Sequence, residues 1–215
     1  PRYARKAFLD HFFGTPYSIE DFHLGRYEEA GDFLGEPYDL VELNRTLPEL
    51  LLRRTGAVSA AGQAHGARIE KRFVFRPRSI DVYYKVTNLA ASNFSARFGV
   101  EMNVSLAERS VECGRFFLLD EDRTTEIGSE RQDIDGVQGL LVRDVRNEVS
   151  ITLSSAKAFR FWGMPLETAV PGAEDQPPVF QSHCLVQLWD LSLRPGESWE
   201  NHLSLGFEKT QDRSV

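Results

Sequence analysis

Cysteine is nearly missing from this sequence, with Cys113 and Cys184 the only two in 215 residues. They are far apart and have no CxxC spacing, so neither a zinc site nor a disulfide framework is expected, and a reducing, cytoplasmic setting is the default. No apolar run approaches the roughly 18 residues of a membrane-spanning helix, so no membrane partner is expected. Positive charge is also in deficit. The net charge of -7 repels nucleic acid. The basic clusters Arg53-Arg54 and Lys71-Arg72 with Arg76 and Arg78 are interrupted by strand-type hydrophobics and read as solvated strand faces.

Motifs that carry chemistry are missing as well. There is no GxSxG, no HExxH and no glycine-rich phosphate loop. The histidines His11, His23, His65, His183 and His202 share no metal-ligand spacing. Asp120, Glu121 and Asp122 lack the calcium-loop spacing and its bidentate glutamate. No metal and no cofactor is expected. The chain starts at Pro1-Arg2-Tyr3 without a charged-then-apolar leader, which reads as the cut end of a longer polypeptide.

What the sequence does have is two-residue alternation. Across Phe94–Leu106, Phe94, Ala96, Phe98, Val100, Met102, Val104 and Leu106 share one side, while Ser95, Arg97, Gly99, Glu101, Asn103 and Ser105 share the other. A strand this long exceeds the usual five or six residues and belongs to a large antiparallel sheet. Glu101 and Asn103 point the same way, from mid-strand positions where a carboxylate and an amide are poor space fillers.

Around that strand the grammar is consistent. Tyr3–Phe13 reads as a short helix or a strand ending, part of a lead-in over residues 1–21. Gly25, Gly31 and Gly35 read as turns between short strands from Phe22 onward. Glu49–Thr55 and Arg68–Phe75 bracket a small-residue hairpin tip, and Ser79–Asn88 alternates cleanly. The acid-rich run Asp120–Gly136 reads as a long surface loop. Strand signals resume at Gly139–Asp144, Glu148–Ser154 and Ala158–Leu166. A loop over Met164–Pro178 leads to two last strands, Val179–Leu193 and Ser198–Phe207, joined by a proline-glycine turn at residues 194–197. Residues 209–215 read as a disordered tail. About a dozen strands and almost no helix predict an all-β fold, a large antiparallel two-sheet β-sandwich, because one open twisted sheet of that size must curl or split.

One face of Val179–Leu193 carries Gln181, His183, Gln187 and Trp189. Amides and carboxylates bind hydroxyls, and indoles stack on sugar C–H faces, so these four with Glu101 and Asn103 are the candidate carbohydrate-binding residues. A plainer reading stands beside it. Glu101 with Asn103 also reads as a satisfied buried pair or an interdomain contact, and Trp162, Trp189 and Trp199 as core. Glu101 has no carboxylate partner in its strand, whereas glycoside cleavage needs two carboxyl groups about 5–9.5 Å apart. No catalytic residue is assigned.

Several segments together carry a family resemblance: Arg5-Lys6-Ala7-Phe8-Leu9-Asp10-His11-Phe12, Gly31-Asp32-Phe33, Lys71-Arg72, Tyr84 to Asn88, Phe98 to Asn103, Phe180-Gln181-Ser182 and Pro195 to Trp199. In this order they resemble the C-terminal β-domain of glycoside hydrolase family 57, which includes 4-α-glucanotransferases and α-amylases. The resemblance implies a galactose-mutarotase-like supersandwich, spanning residues 1–215 as one domain, that follows a catalytic (β/α) barrel in the same polypeptide. That barrel, holding the family's catalytic carboxylates, is the implied partner, with an α-glucan oligosaccharide as a second. The implied role is a non-catalytic accessory domain. The other readings are an autonomous carbohydrate-binding module and a free-standing aldose mutarotase-like enzyme, the last requiring Glu101 to converge with His183 or His202 in an open pocket.

Overall fold

A computed structural model describes residues 3–14, 17–106, 114–120, 123–168 and 178–210. The elements in chain order are β1 (Ala7–Phe13), α1 (Ile19–His23), β2 (Asp39–Asn44), β3 (Glu49–Ala60), β4 (Gln63–Arg76), β5 (Ser79–Asn88) and β6 (Phe94–Val104). They continue with β7 (Gly114–Leu119), β8 (Thr124–Ile127), β9 (Gln132–Asp144), β10 (Val149–Thr168), β11 (Val179–Leu193) and β12 (Ser198–Lys209). Every pairing is antiparallel, in the order β1-β6-β11-β10-β12-β5-β4-β3-β2, with β9, β7 and β8 branching from β10.

The expected two layers are made by one sheet that curls through β10. Residues Val149–Ser155 of this 20-residue strand pair with β12, and residues Arg160–Thr168 pair with β11. The strand therefore belongs to one layer at its start and to the other at its end. Its pairing with β9 shifts register between Ser154 and Phe159, as a bulge at a sandwich corner does. Layer one is β1-β6-β11-β10, and layer two is β10-β12-β5-β4-β3-β2.

The alternation on β6 now has a destination. Phe98 from layer one meets Tyr84 and Trp199 from layer two at ring-centroid distances of 5.9 and 5.6 Å. Phe94, Ala96, Val100, Met102 and Val104 bury in the same interlayer core. The other face of layer one is covered too. Phe13, Phe22 and Tyr27, from β1, α1 and the segment after it, pack on Trp162, Met164, Cys184, Val186 and Leu188. Helix α1 forms because Ser18 and Asp21 make a reciprocal capping box, a signal outweighed in the sequence by the surrounding turn residues.

The residues 30–32 draw the two layers together. Ala30 N–H donates to Phe12 O on β1, Ser59 N–H of β3 donates to Ala30 O, and Gly31 bridges Val58. A methyl group on Gly31 would lie 2.7 Å from the Phe12 ring, which is why a side chain is missing there.

Some expectations change. Asp120–Gly136 is not one loop: it contains β8 and the start of β9, whose side chains are mostly exposed and so lack apolar alternation. Glu148–Ser154 and Ala158–Leu166 are one strand. The small-residue stretch is a hairpin tip, turning at Ala61-Gly62 with φ of 49° and 75°, but β3 and β4 run through most of it. Cys113, Glu121, Asp122, residues 169–177 of the expected loop and residues 211–215 of the expected tail lie outside the described residues. Among the described residues, no helix is long and apolar enough to cross a membrane.

Candidate functional site

Glu101 is the centre of a buried polar cluster on the outer face of layer one, its side chain fully shielded from solvent. The Tyr3 hydroxyl donates to Oε2 at 2.6 Å, and Arg5 Nη1 donates to Oε1 and Oε2 at 3.0 and 2.9 Å. His11 Nε2 lies 3.1 Å from Oε2, and Asn103 Nδ2 donates to Oε1 at 2.6 Å. Asn103 also donates to Lys6 O at 2.8 Å, tying the lead-in to β6. A carboxylate has about four acceptor positions, and here they are used.

The second ring nitrogen of His11, Nδ1, faces Glu29 Oε1 at 2.5 Å. With a carboxylate at each nitrogen, the ring is an imidazolium. Burial opposes that charge, but the bonds to Glu101 and Glu29 outweigh it and lift the His11 pKa to about 9. Burial likewise works against the Glu101 anion, and His11, Arg5 and Tyr3 reverse it, bringing the pKa to about 2. Arg5 and His11 balance Glu29 and Glu101, so the cluster is neutral as a unit. Gly99 stands opposite His11 in the β1–β6 ladder, where a Cβ would lie 3.0 Å from Leu188 Cδ2 and 3.4 Å from the Phe13 ring, and the His11 ring stacks on Phe13 at 5.6 Å. Cys184 is buried beside this cluster, and burial and the Glu101 charge push its thiol well up.

The six sequence candidates do not form one site; of them, Glu101 and Asn103 bond each other. Glu101 and Asn103 face outward from layer one beneath the lead-in. His183, Gln187 and Trp189 face inward, as the alternating core positions Leu185 and Leu191 on β11 require. His183 packs on Phe116 and Phe180 at 4.6 and 4.9 Å. Gln187 is buried, and among the described residues its Nε2 has no hydrogen-bond partner. Trp189 packs on Phe98, Phe159 and Trp199, and its indole N–H donates to Lys157 O at 3.4 Å. Gln181 is exposed. His202 is on the outer face of layer two, 3.1 Å from Asp81 Oδ1. Glu101 therefore shares no pocket with His183 or His202; its histidine is His11.

A second charged cluster was not singled out in the sequence. Asp10 points the opposite way from His11, into the sandwich, where Lys71 Nζ donates to Oδ2 at 2.5 Å and the Tyr38 hydroxyl donates to the same oxygen. The pattern was present in Leu9-Asp10-His11-Phe12, because a strand sends neighbouring residues to opposite faces. What the pattern could not show is that both faces of β1 are buried.

Comparison with known proteins gives this geometry a lineage. Residues 2–203 match the model of the family described as alpha-amylase/4-alpha-glucanotransferase, C-terminal. The chain is 27% identical over 164 residues to a 4-alpha-glucanotransferase of Thermococcus litoralis, covering 76% of this chain and 21% of that protein. The crystal structure of 4-alpha-glucanotransferase from Thermococcus litoralis superposes with a TM-score of 0.71 at 20% identity, over 96% of this chain and 28% of that one. A putative aldose 1-epimerase from Escherichia coli K12 gives a TM-score of 0.58 at 14% identity, over 95% and 81% of the two chains, which shows a shared galactose-mutarotase-like fold. The chain thus spans 21% to 28% of the glucanotransferase relatives it matches, and it belongs to the alpha-amylase/4-alpha-glucanotransferase C-terminal family.

Proposed function

We propose that this chain is the non-catalytic accessory β-domain of a 4-α-glucanotransferase-type enzyme of glycoside hydrolase family 57, supporting a catalytic barrel in the same polypeptide. The observation that carries this reading is Glu101. It is the carboxylate that sequence reasoning singled out, and its acceptor positions are filled by Tyr3, Arg5, His11 and Asn103 with the side chain fully buried. A general acid or nucleophile needs access to a glycosidic oxygen or anomeric carbon, and a pKa tuned toward its working pH. Held near 2 and sealed, Glu101 supplies neither.

The mutarotase-like reading loses its support for the same reason, since its acid and base share no open pocket. The edge of layer two supports a partner instead. Strand β2 ends the sheet, and Leu40, Leu43 and Leu47 on it and its following turn are 57%, 51% and 59% exposed, an apolar surface suited to a covering domain. The test compares the full enzyme with a version lacking this chain. The accessory reading expects the truncated catalytic portion to lose thermal stability, with recovery when the 215-residue chain is added back. An equally stable truncated enzyme with unchanged activity would overturn it.

A further inference from the structure

The corner where β10 changes layers is open. Its pairing with β12 ends at Ser155 and its pairing with β11 begins at Arg160, so residues 156–159 pair with neither strand. β11 nevertheless runs on past Leu188, the partner of Arg160, to Leu193. The two strands part there, and the gap is a cavity of about 320 Å³, within the usual range of small-molecule sites. Ala158 and Phe159 line it from β10, Trp189 and Asp190 from β11, Arg97 from β6 and Trp199 from β12. Of the six candidate residues read from the sequence, Trp189 is the one that reaches it.

The inner wall of this cavity is aromatic and its rim is polar. Trp189 packs on Trp199 and Phe159 at ring-centroid distances of 5.2 and 5.9 Å. Trp199 is only half-buried, and its indole N–H has no hydrogen-bond partner among the described residues. On the rim, Arg97 Nε and Nη2 donate to Asp190 at 2.7 and 3.1 Å. Arg160, which also lines the cavity, donates in the same two-pronged way to Asp133 at 2.6 and 2.8 Å. Nη1 of each arginine is uncommitted among the described residues. The Asp190 side chain is 76% exposed, and its carboxylate keeps acceptor positions beyond the two that Arg97 uses.

The charges on this rim cancel. Arg97, Lys157 and Arg160 are matched by Asp133, Asp135 and Asp190, so neither an anion nor a cation is favoured. An apolar side chain seated here would strip water from the open donors and acceptors. A neutral ring with hydroxyls around its edge and C–H groups on its faces uses both surfaces.

We propose that the open corner between β10 and β11 is a binding site for a pyranose unit of an α-glucan oligosaccharide. The sugar's C–H face lies on Trp199, while its hydroxyls donate to Asp190 and accept from the free Nη1 groups of Arg97 and Arg160. The choice of an α-glucan rests on the proposed function; the match to a pyranose does not.

The test titrates the 215-residue chain with maltotriose, read by calorimetry and by the indole N–H signals of its three tryptophans in NMR spectra. Saturable binding that moves the Trp189 and Trp199 signals is expected, with Trp162, sealed in its cluster with Phe13 and Phe22, unmoved. Asp190→Ala should weaken binding about ten-fold, the size of one lost hydrogen bond to a charged group. Ala158→Leu, which fills the mouth, should weaken it at least as much. Both positions are exposed, so the variants keep the fold. No saturable binding, shifts confined to other residues, or full affinity in both variants would overturn the site. The accessory role would stand in each of those cases, because its truncation test reads the stability and activity of the whole enzyme.

Discussion

Glu101 and His11 are worth more together than either alone. Removing one partner of a buried ion pair leaves the other charge desolvated, typically at a cost of about 3–5 kcal/mol. Glu101→Gln should therefore lower unfolding free energy by about 3–5 kcal/mol in urea titrations, because Arg5 and His11 lose a shared anion. A loss under about 1 kcal/mol would show the cluster to be incidental. The pH dependence has two limbs. The His11 pKa rises from 6.5 to about 9 on folding, so its contribution is complete below 6.5 and is lost as pH climbs through 9. The Glu101 pKa falls from 4.5 to about 2, so its contribution is complete above 4.5 and is lost as pH drops toward 2. Denaturant titrations across pH should show greatest stability between these limbs, near pH 5–6, and Glu101→Gln should flatten both. An unaltered profile in that variant would place the titrating groups elsewhere.

At the scale of elements, β1 and the residues 30–32 carry the architecture. β1 sends Asp10 into one buried charge cluster and His11 into another, and it is bonded to β6 on one edge and to Ala30 on the other. Gly31→Ala would place a methyl against the Phe12 side chain, within 3.1 Å of its Cβ, where the backbone fixes the position. Overpacking of this sort costs about 1–3 kcal/mol. The variant should lose that much stability by thermal or chemical melting, and faster amide exchange should appear first at Ala30, Asp32 and Ser59. Exchange that rises evenly across the sheet would contradict the closing role of this segment. The β6, β11 and β12 strands were legible in sequence because their alternation is long and one of their faces is strongly apolar. β8 and the start of β9 were not, since Thr124-Thr125-Glu126-Ile127 and Gln132-Asp133-Ile134-Asp135 are mostly exposed and offer one apolar residue each. The unity of β10 was hidden by Ser155 and Lys157, polar because the strand bends there between layers.

For the whole molecule, two packed layers were readable from strand count alone, and the lineage from ordered short segments. The site was less readable. Alternation groups Gln181, His183, Gln187 and Trp189 on one face of β11; the structure keeps His183, Gln187 and Trp189 together, while the register slips at the exposed Gln181, and alternation does not say which face is inward when both are covered. Nor does it reveal that Tyr3, Arg5 and His11, about ninety residues upstream, converge on Glu101. Glu101 holds the fold and does no chemistry on sugars. The most direct test of this is to incubate the purified 215-residue chain with maltotriose and follow oligosaccharide products by chromatography. An unchanged maltotriose peak is expected. Shorter and longer glucans that appear with the chain and vanish with Glu101→Gln, in a variant verified to remain folded, would contradict it.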